Sequence, residues 1–182
     1  QGTQMDSWAA DVYSVGNFTG TVSYQDHIVF FKENIMYELY GYMPSQFKVL
    51  EVAKIGCIDS HSITETQGIL FFATETGIFV YSGGFPADIS LQLNIKNLKN
   101  ASCIGHGNRV YISFDGATYL YDTNLKTFLP YANLDVKYFA KDEDNVYALT
   151  RNGEIYRFNS GDEIVDWVVI TKQFQCEKKT EK

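Results

Sequence analysis

The chain has 182 residues, enough for one domain with a sizeable core, and its 45% apolar and 20% charged residues are ordinary for a globular protein. Its net charge of −7 comes with no basic stripe, which argues against a surface built on nucleic-acid phosphates. No apolar run reaches the ~18 residues of a membrane span, and no charged-then-apolar leader is visible. Three cysteines, Cys57, Cys103 and Cys176, are too few and too scattered for a disulfide framework. Thirteen tyrosines and thirteen phenylalanines against three prolines favour pleated, half-buried strands, so the expected class is all-β.

Four related units follow one another along the chain. The first, about 20–55, opens on the alternating Thr21-Val22-Ser23-Tyr24, continues into a hairpin over 28–40, passes Pro44 and ends in a strand at 47–52. The second, about 60–95, repeats this order with Ile63, a hairpin over 69–81 turning at Gly77, then Pro86 and a strand at 89–93. The third, about 100–133, has Ile104, a hairpin over 110–121 turning at Asp115-Gly116, and a strand at 128–131. The fourth, about 136–172, has Ala140, a hairpin over 146–158 turning at Asn152-Gly153, and a strand at 167–171. Asp-Gly and Asn-Gly accept the positive φ that two-residue hairpins demand. Hairpin starts lie 41, 41 and 36 residues apart.

Four short strands per unit of about 40 residues is the pattern of a β-propeller blade, in which sheets that cannot cover both their own faces cover each other. The expected architecture is therefore a single domain over 1–176 with four four-stranded blades and a charged tail at 177–182. Two closures stay open: a compact four-blade ring, or an arc of a larger propeller. The Gln1 start and the Lys-rich finish favour a piece of a longer product, and 8–13 and 165–176 read as scraps of further blade.

Chemistry is sparse. His27, His61 and His106 form no metal-ligand spacing, and Asp59-Ser60-His61 has triad residue types without triad geometry, because neighbours on a strand point to opposite faces. Tyr24, Glu65, His106 and Asp142 recur two residues after the repeated apolar position, and are expected to line the central channel as a polar ring. Glu65, His106 and Asp142 have the donor types for a cation, with a solvated lining the plainer expectation. Tyr42, Phe85 and Tyr131 fall in loops and are the candidate platforms for a sugar. No catalytic residue, cofactor or resident metal is expected.

Five stretches carry a resemblance: Ser7-Trp8-Ala9-Ala10, Gly16-Asn17-Phe18-Thr19-Gly20, Val29-Phe30-Phe31-Lys32-Glu33, Tyr37-Glu38-Leu39-Tyr40-Gly41 and Val80-Tyr81-Ser82-Gly83-Gly84-Phe85-Pro86. Over roughly residues 7–95 the chain resembles tail-associated proteins encoded in phages and prophages of Gram-positive gut bacteria. The resemblance implies a virion-associated propeller, made in the bacterial cytoplasm, within a longer chain. Its implied role is a non-enzymatic structural or interaction module of the tail or head–tail junction. Implied partners are other phage structural proteins or a surface receptor or glycan, with oligomerisation in keeping and neither nucleic acid nor membrane. The alternatives are a carbohydrate- or receptor-binding propeller and, third, a propeller glycoside hydrolase, for which no carboxylate pair stands out.

Overall fold

The computed structural model describes residues 14–158 apart from 92, 94 and 96. Sheet 1 holds β1 (Phe18–Tyr24), β2 (His27–Lys32), β3 (Met36–Tyr40) and β4 (Lys48–Ala53). Sheet 2 holds β5 (Ile63–Thr66), β6 (Ile69–Ala73), β7 (Ile78–Tyr81) and β8 (Ala87–Asp88). Sheet 3 holds β9 (Ser102–His106), β10 (Arg109–Phe114), β11 (Ala117–Asp122) and β12 (Thr127–Ala132), and sheet 4 holds β13 (Val136–Lys141), β14 (Val146–Thr150) and β15 (Ile155–Phe158). In every sheet each strand pairs antiparallel with its neighbour in sequence. Helix among the described residues is limited to two 3₁₀ turns, Pro44–Gln46 and Ser60–Ser62. The all-β class and the four successive units are thus as expected, three with four strands and the fourth with three. The strand expected at 167–171, the stretches 8–13 and 177–182, and Cys176 lie outside the described residues.

Local chemistry explains where the strands turn. Asp115 and Gly116 both take positive φ, 50° and 79°, as the Asp-Gly signal requires. Gly77 serves a different end: its φ is not positive, and a Cβ there would sit 2.9 Å from Asp88 Oδ2 and from Ser90 Oγ. The turn itself is held by Thr74 Oγ1, which accepts from the backbone N–H groups of Thr76 and Gly77. The fourth strand of sheet 2 is not the expected 89–93 but the two-residue β8 just before it; Asp88 then accepts from both the N–H and the hydroxyl of Ser90, a local turn that competes with the ladder. Pro130 sits in β12, at the edge of sheet 3, where its missing N–H breaks no ladder.

The core lies between sheets. Val29 and Phe31 of sheet 1 meet Leu70 and Phe72 of sheet 2. Phe71 and Ala73, on the other side of β6, meet Val110, Ile112 and Phe114 of sheet 3. Tyr111 of sheet 3 meets Val136, Val146 and Ala148 of sheet 4. Strands covered on both faces read as unbroken apolar runs, which is why Ile69-Leu70-Phe71-Phe72-Ala73 shows no alternation.

The ladder register also corrects one alignment. The last pairs before the first turn of each unit are Tyr24↔His27, Thr66↔Ile69 and His106↔Arg109. In sheet 4 the matching bond runs from Asp142 N to Asn145 O, 3.1 Å. Leu70, not Ile69, is therefore the counterpart of Ile28, Val110 and Val146. A one-residue slip exchanges the two faces of a strand, so Thr66 rather than Glu65 belongs with Tyr24, His106 and Asp142.

The first strands β1, β5, β9 and β13 lie side by side. Gly105 makes one close approach possible. Its N–H donates to Thr64 Oγ1 at 2.8 Å, and a Cβ at this position would fall 2.7 Å from Thr66 Cβ.

Candidate functional site

Corrected register turns the expected polar ring into something else. Tyr24 is buried, 1% exposed, and its hydroxyl donates across to the Gly68 carbonyl of sheet 2 at 2.8 Å. Thr66 Oγ1 donates to the Gly107 carbonyl of sheet 3 at 2.7 Å. His106 Nε2 donates to the Glu143 carbonyl of sheet 4 at 3.1 Å. Each acceptor lies in the first turn of the next unit. The residues at this repeat position therefore clasp each sheet to its successor. Glu65, one place off, faces solvent and accepts from its own turn at Gly68 N. Asp142 accepts from Asp144 N, Asn145 N and the Tyr147 hydroxyl, and these bonds hold its carboxyl down at about 2. Glu65, His106 and Asp142 do not form a donor cluster, and no group of three His, Cys, Asp or Glu able to hold a metal occurs among the described residues.

Removing one clasp leaves a carbonyl at the joint without its donor. Thr66→Val, which keeps the shape of the side chain, is expected to cost about 1 kcal/mol. Urea unfolding followed by circular dichroism checks this, and an unchanged midpoint would show that the clasp adds nothing to stability.

At the opposite ends of the first strands the chain gathers charge. Asp59 caps the 3₁₀ turn and holds His61 twice, by its N–H at 2.8 Å and by Nδ1 at 2.6 Å. The His61 ring lies against Tyr138 of β13, with centroids 4.5 Å apart, so sheets 2 and 4 meet here. Arg151, in the β14–β15 turn, donates from Nε to Asp135 Oδ1 at 3.0 Å and from Nη2 to the Asn100 carbonyl at 2.8 Å. Among the described residues no hydroxyl is hydrogen-bonded to His61 Nε2. Neighbouring Cys57 is not an activated thiol: burial pushes it up to about 11, and desolvation pushes the half-buried Cys103 well above its usual range.

Sequence reasoning passed over a buried polar network at the joint of sheets 1 and 2. His27 places Nδ1 3.0 Å from Asp26 Oδ1 and Nε2 3.1 Å from Glu38 Oε1. The Tyr81 hydroxyl donates to Glu38 Oε1, the Tyr40 hydroxyl donates to Glu38 Oε2 at 3.0 Å, and His27 stacks on Tyr40 with centroids 4.5 Å apart. Every polar group here has a partner, so the network holds the joint in one arrangement. The signal that could have found it is the Tyr37-Glu38-Leu39-Tyr40 alternation, which places Glu38 on the same face as Val29 and His27.

The loop aromatics separate. Tyr42 is 89% exposed beside a cleft that also holds Asp26 and His27, and Phe85 is 70% exposed. Tyr131 is not in a loop but in β12, where its ring packs edge-on against Tyr111 at 5.2 Å and tilts onto Phe158 at 4.9 Å. They do not share a cleft.

On the far side of sheet 1, away from sheet 2, lies a mostly apolar cleft of about 630 Å³. Phe18, Ile28, Phe30 and Leu39 line it, and Phe18 and Ile28 are more than two-fifths exposed. Ile28 and Phe30 are the counterparts of Leu70 and Phe72, of Val110 and Ile112, and of Val146 and Ala148. Each of those later pairs is buried against the preceding sheet.

These features define a class: an all-β chain of propeller-like, radially joined meander sheets. No protein-family profile and no curated protein matches it. Solved structures do. One is PorZ, described as an essential bacterial surface component of the type-IX secretion system of Porphyromonas gingivalis, with a TM-score of 0.58 and 17% identity over 79% of this chain and 21% of that one. Another is the extracellular domain of BT4673 from B. thetaiotaomicron, described as a hybrid two-component system, with a TM-score of 0.61 and 16% identity over 90% of this chain and 23% of that one. A third is the computationally designed Ika4 protein, with a TM-score of 0.60 and 11% identity over 87% of this chain and 98% of that one. The chain spans about a fifth of the length of PorZ and of BT4673. At these identities the likeness is one of fold.

Proposed function

We propose that the four sheets are consecutive blades of a β-propeller, and that the chain is a non-enzymatic interaction module. In keeping with its sequence resemblance, it is a structural component of a phage or prophage particle. The observation that carries this is the apolar outer face of sheet 1. Its repeat positions are those that every later sheet buries against a neighbour, so the occupant the face fits is a further four-stranded blade of the same assembly. Contiguous exposed apolar clefts of this kind mark interaction sites.

Ile28→Asp places a charge on that face and touches no interior contact. The variant is expected to fold as the parent does, with an unchanged circular dichroism melt, but to be lost from particles. Immunogold labelling of particles released on induction of the source strain reads this out. Label at the tail or neck for the parent and none for Ile28→Asp supports the proposal. Intact unlabelled particles, with the protein free in the cytoplasm, would overturn it.

The second reading, a carbohydrate-binding propeller, draws on the exposure of Tyr42 and Phe85. Glycan-array binding abolished by Tyr42→Ala would put that reading first.

A further inference from the structure

We infer that the cleft where sheets 2, 3 and 4 converge is a binding site for a small oxyanion, a carboxylate or phosphate group on a compact molecule. The cleft has a volume of about 260 Å³ and is formed by Asp59, His61, Lys99, Lys137, Tyr138 and Arg151 with the backbone around Asn100 and Ala101. Three cationic side chains against one carboxylate give this lining a formal charge of +2, in a chain whose total is −7. Like charges repel, so such a convergence on an acidic protein raises the energy of the empty site and lowers that of the anion-bound one.

Arg151 is ion-paired with Asp135 and the Lys137 ammonium lies 5.1 Å from the Tyr138 ring centroid, but the two lysines carry no ion pair among the described residues. Among the described residues neither Lys99 nor Lys137 has a carboxylate within ion-pairing distance. Arg151 is anchored by Asp135 and the Asn100 carbonyl through Nε and Nη2, which fixes its plane and leaves the Nη1 donors without a partner among the described residues. A guanidinium held in one orientation is the donor that oxyanions pair with best. His61 spends Nδ1 on Asp59 and keeps Nε2 without a partner among the described residues, while the Tyr138 ring lies beside it. The volume suits a molecule of monosaccharide size, below the range of drug-sized pockets. The site is assembled from the segments leading into β5 and β9, from β13 and from the β14–β15 turn, so it exists only when the sheets are joined. It is independent of the apolar cleft on sheet 1.

The test is a titration of the full chain, observed by amide chemical shifts, with inorganic phosphate, with glucuronate and with glucose as the neutral control. Saturable shifts confined to residues around 59–61, 99–101, 135–138 and 151 are expected for an anion and not for glucose. Phosphate alone would identify a phosphoryl ligand, and glucuronate alone a carboxylate. Lys99→Gln and Lys137→Gln, which remove no interior contact, are each expected to weaken binding about five- to tenfold, while Lys54→Gln on sheet 1 leaves it unchanged. The proposal is overturned if neither anion gives saturable shifts at millimolar concentration, if glucose matches them, or if Lys99→Gln and Lys137→Gln bind as the parent does.

Discussion

Replacing Phe72 by alanine is expected to lower the free energy of unfolding by about 3–5 kcal/mol. Phe72 is 1% exposed in the joint of sheets 1 and 2, with its ring centroid 4.8 Å from that of Phe31 and 5.8 Å from that of Phe79. The ring is fixed from both sides by strands whose ladders are intact, so the surroundings have little freedom to collapse into the space. The loss therefore combines the transfer free energy of the removed atoms with that of the cavity left behind. Urea unfolding of the variant measures it. Phe85→Ala is the control: its ring is 70% exposed, and its expected effect is within about 0.5 kcal/mol. Equal effects for the two would refute the placement of Phe72 at a packed joint.

Glu38→Leu is expected to cost about 3 kcal/mol, through a different mechanism. The substitution deprives three groups of one acceptor: the Tyr81 hydroxyl, the half-buried Tyr40 hydroxyl and His27 Nε2. His27 and Tyr81 gain no water in exchange, since both are nearly enclosed. Glu38→Gln keeps an acceptor in place and is expected to cost less than half as much. Equal stability of the Leu variant and the parent would mean that the network contributes nothing net. The same site has a pH signature. Burial first, and then the Glu38 carboxyl, push the Tyr81 hydroxyl above its ordinary range. A group whose pKa is raised on folding stabilises fully below its unfolded value, here about 10, and the contribution is lost as pH rises beyond it. Glu38→Leu is therefore expected to flatten the alkaline decline in stability.

The fold was legible because its signals are local. Asp115-Gly116 marks its hairpin by backbone preference alone, and the repeated apolar first strands mark the units by spacing. The alignment failed by one residue at Ile69, where a run buried on both faces carries no alternation to show which side is which. That slip moved Glu65 into a set where Thr66 belongs, and the clasps became visible only once the ladder fixed the faces. The charged cleft was illegible for another reason. Lys99, Lys137 and Arg151 lie far apart in sequence and in three different loops or strand ends, and no spacing rule connects them to His61. Glu38 was hidden by its type, because a carboxylate in a strand is normally a solvated one.

The clasps have a direction. At this one repeat position the earlier sheet donates the hydrogen bond and the later one accepts it on a turn carbonyl, so the clasps run head to tail. Tyrosine, threonine and histidine differ in shape, yet all three can give. Asp142, at the last position, is held ionised by its own turn and can only receive. Whatever follows sheet 4 therefore meets a receiver where every earlier joint offered a giver, and a duplicated unit grafted after it would need the polarity of its bond reversed.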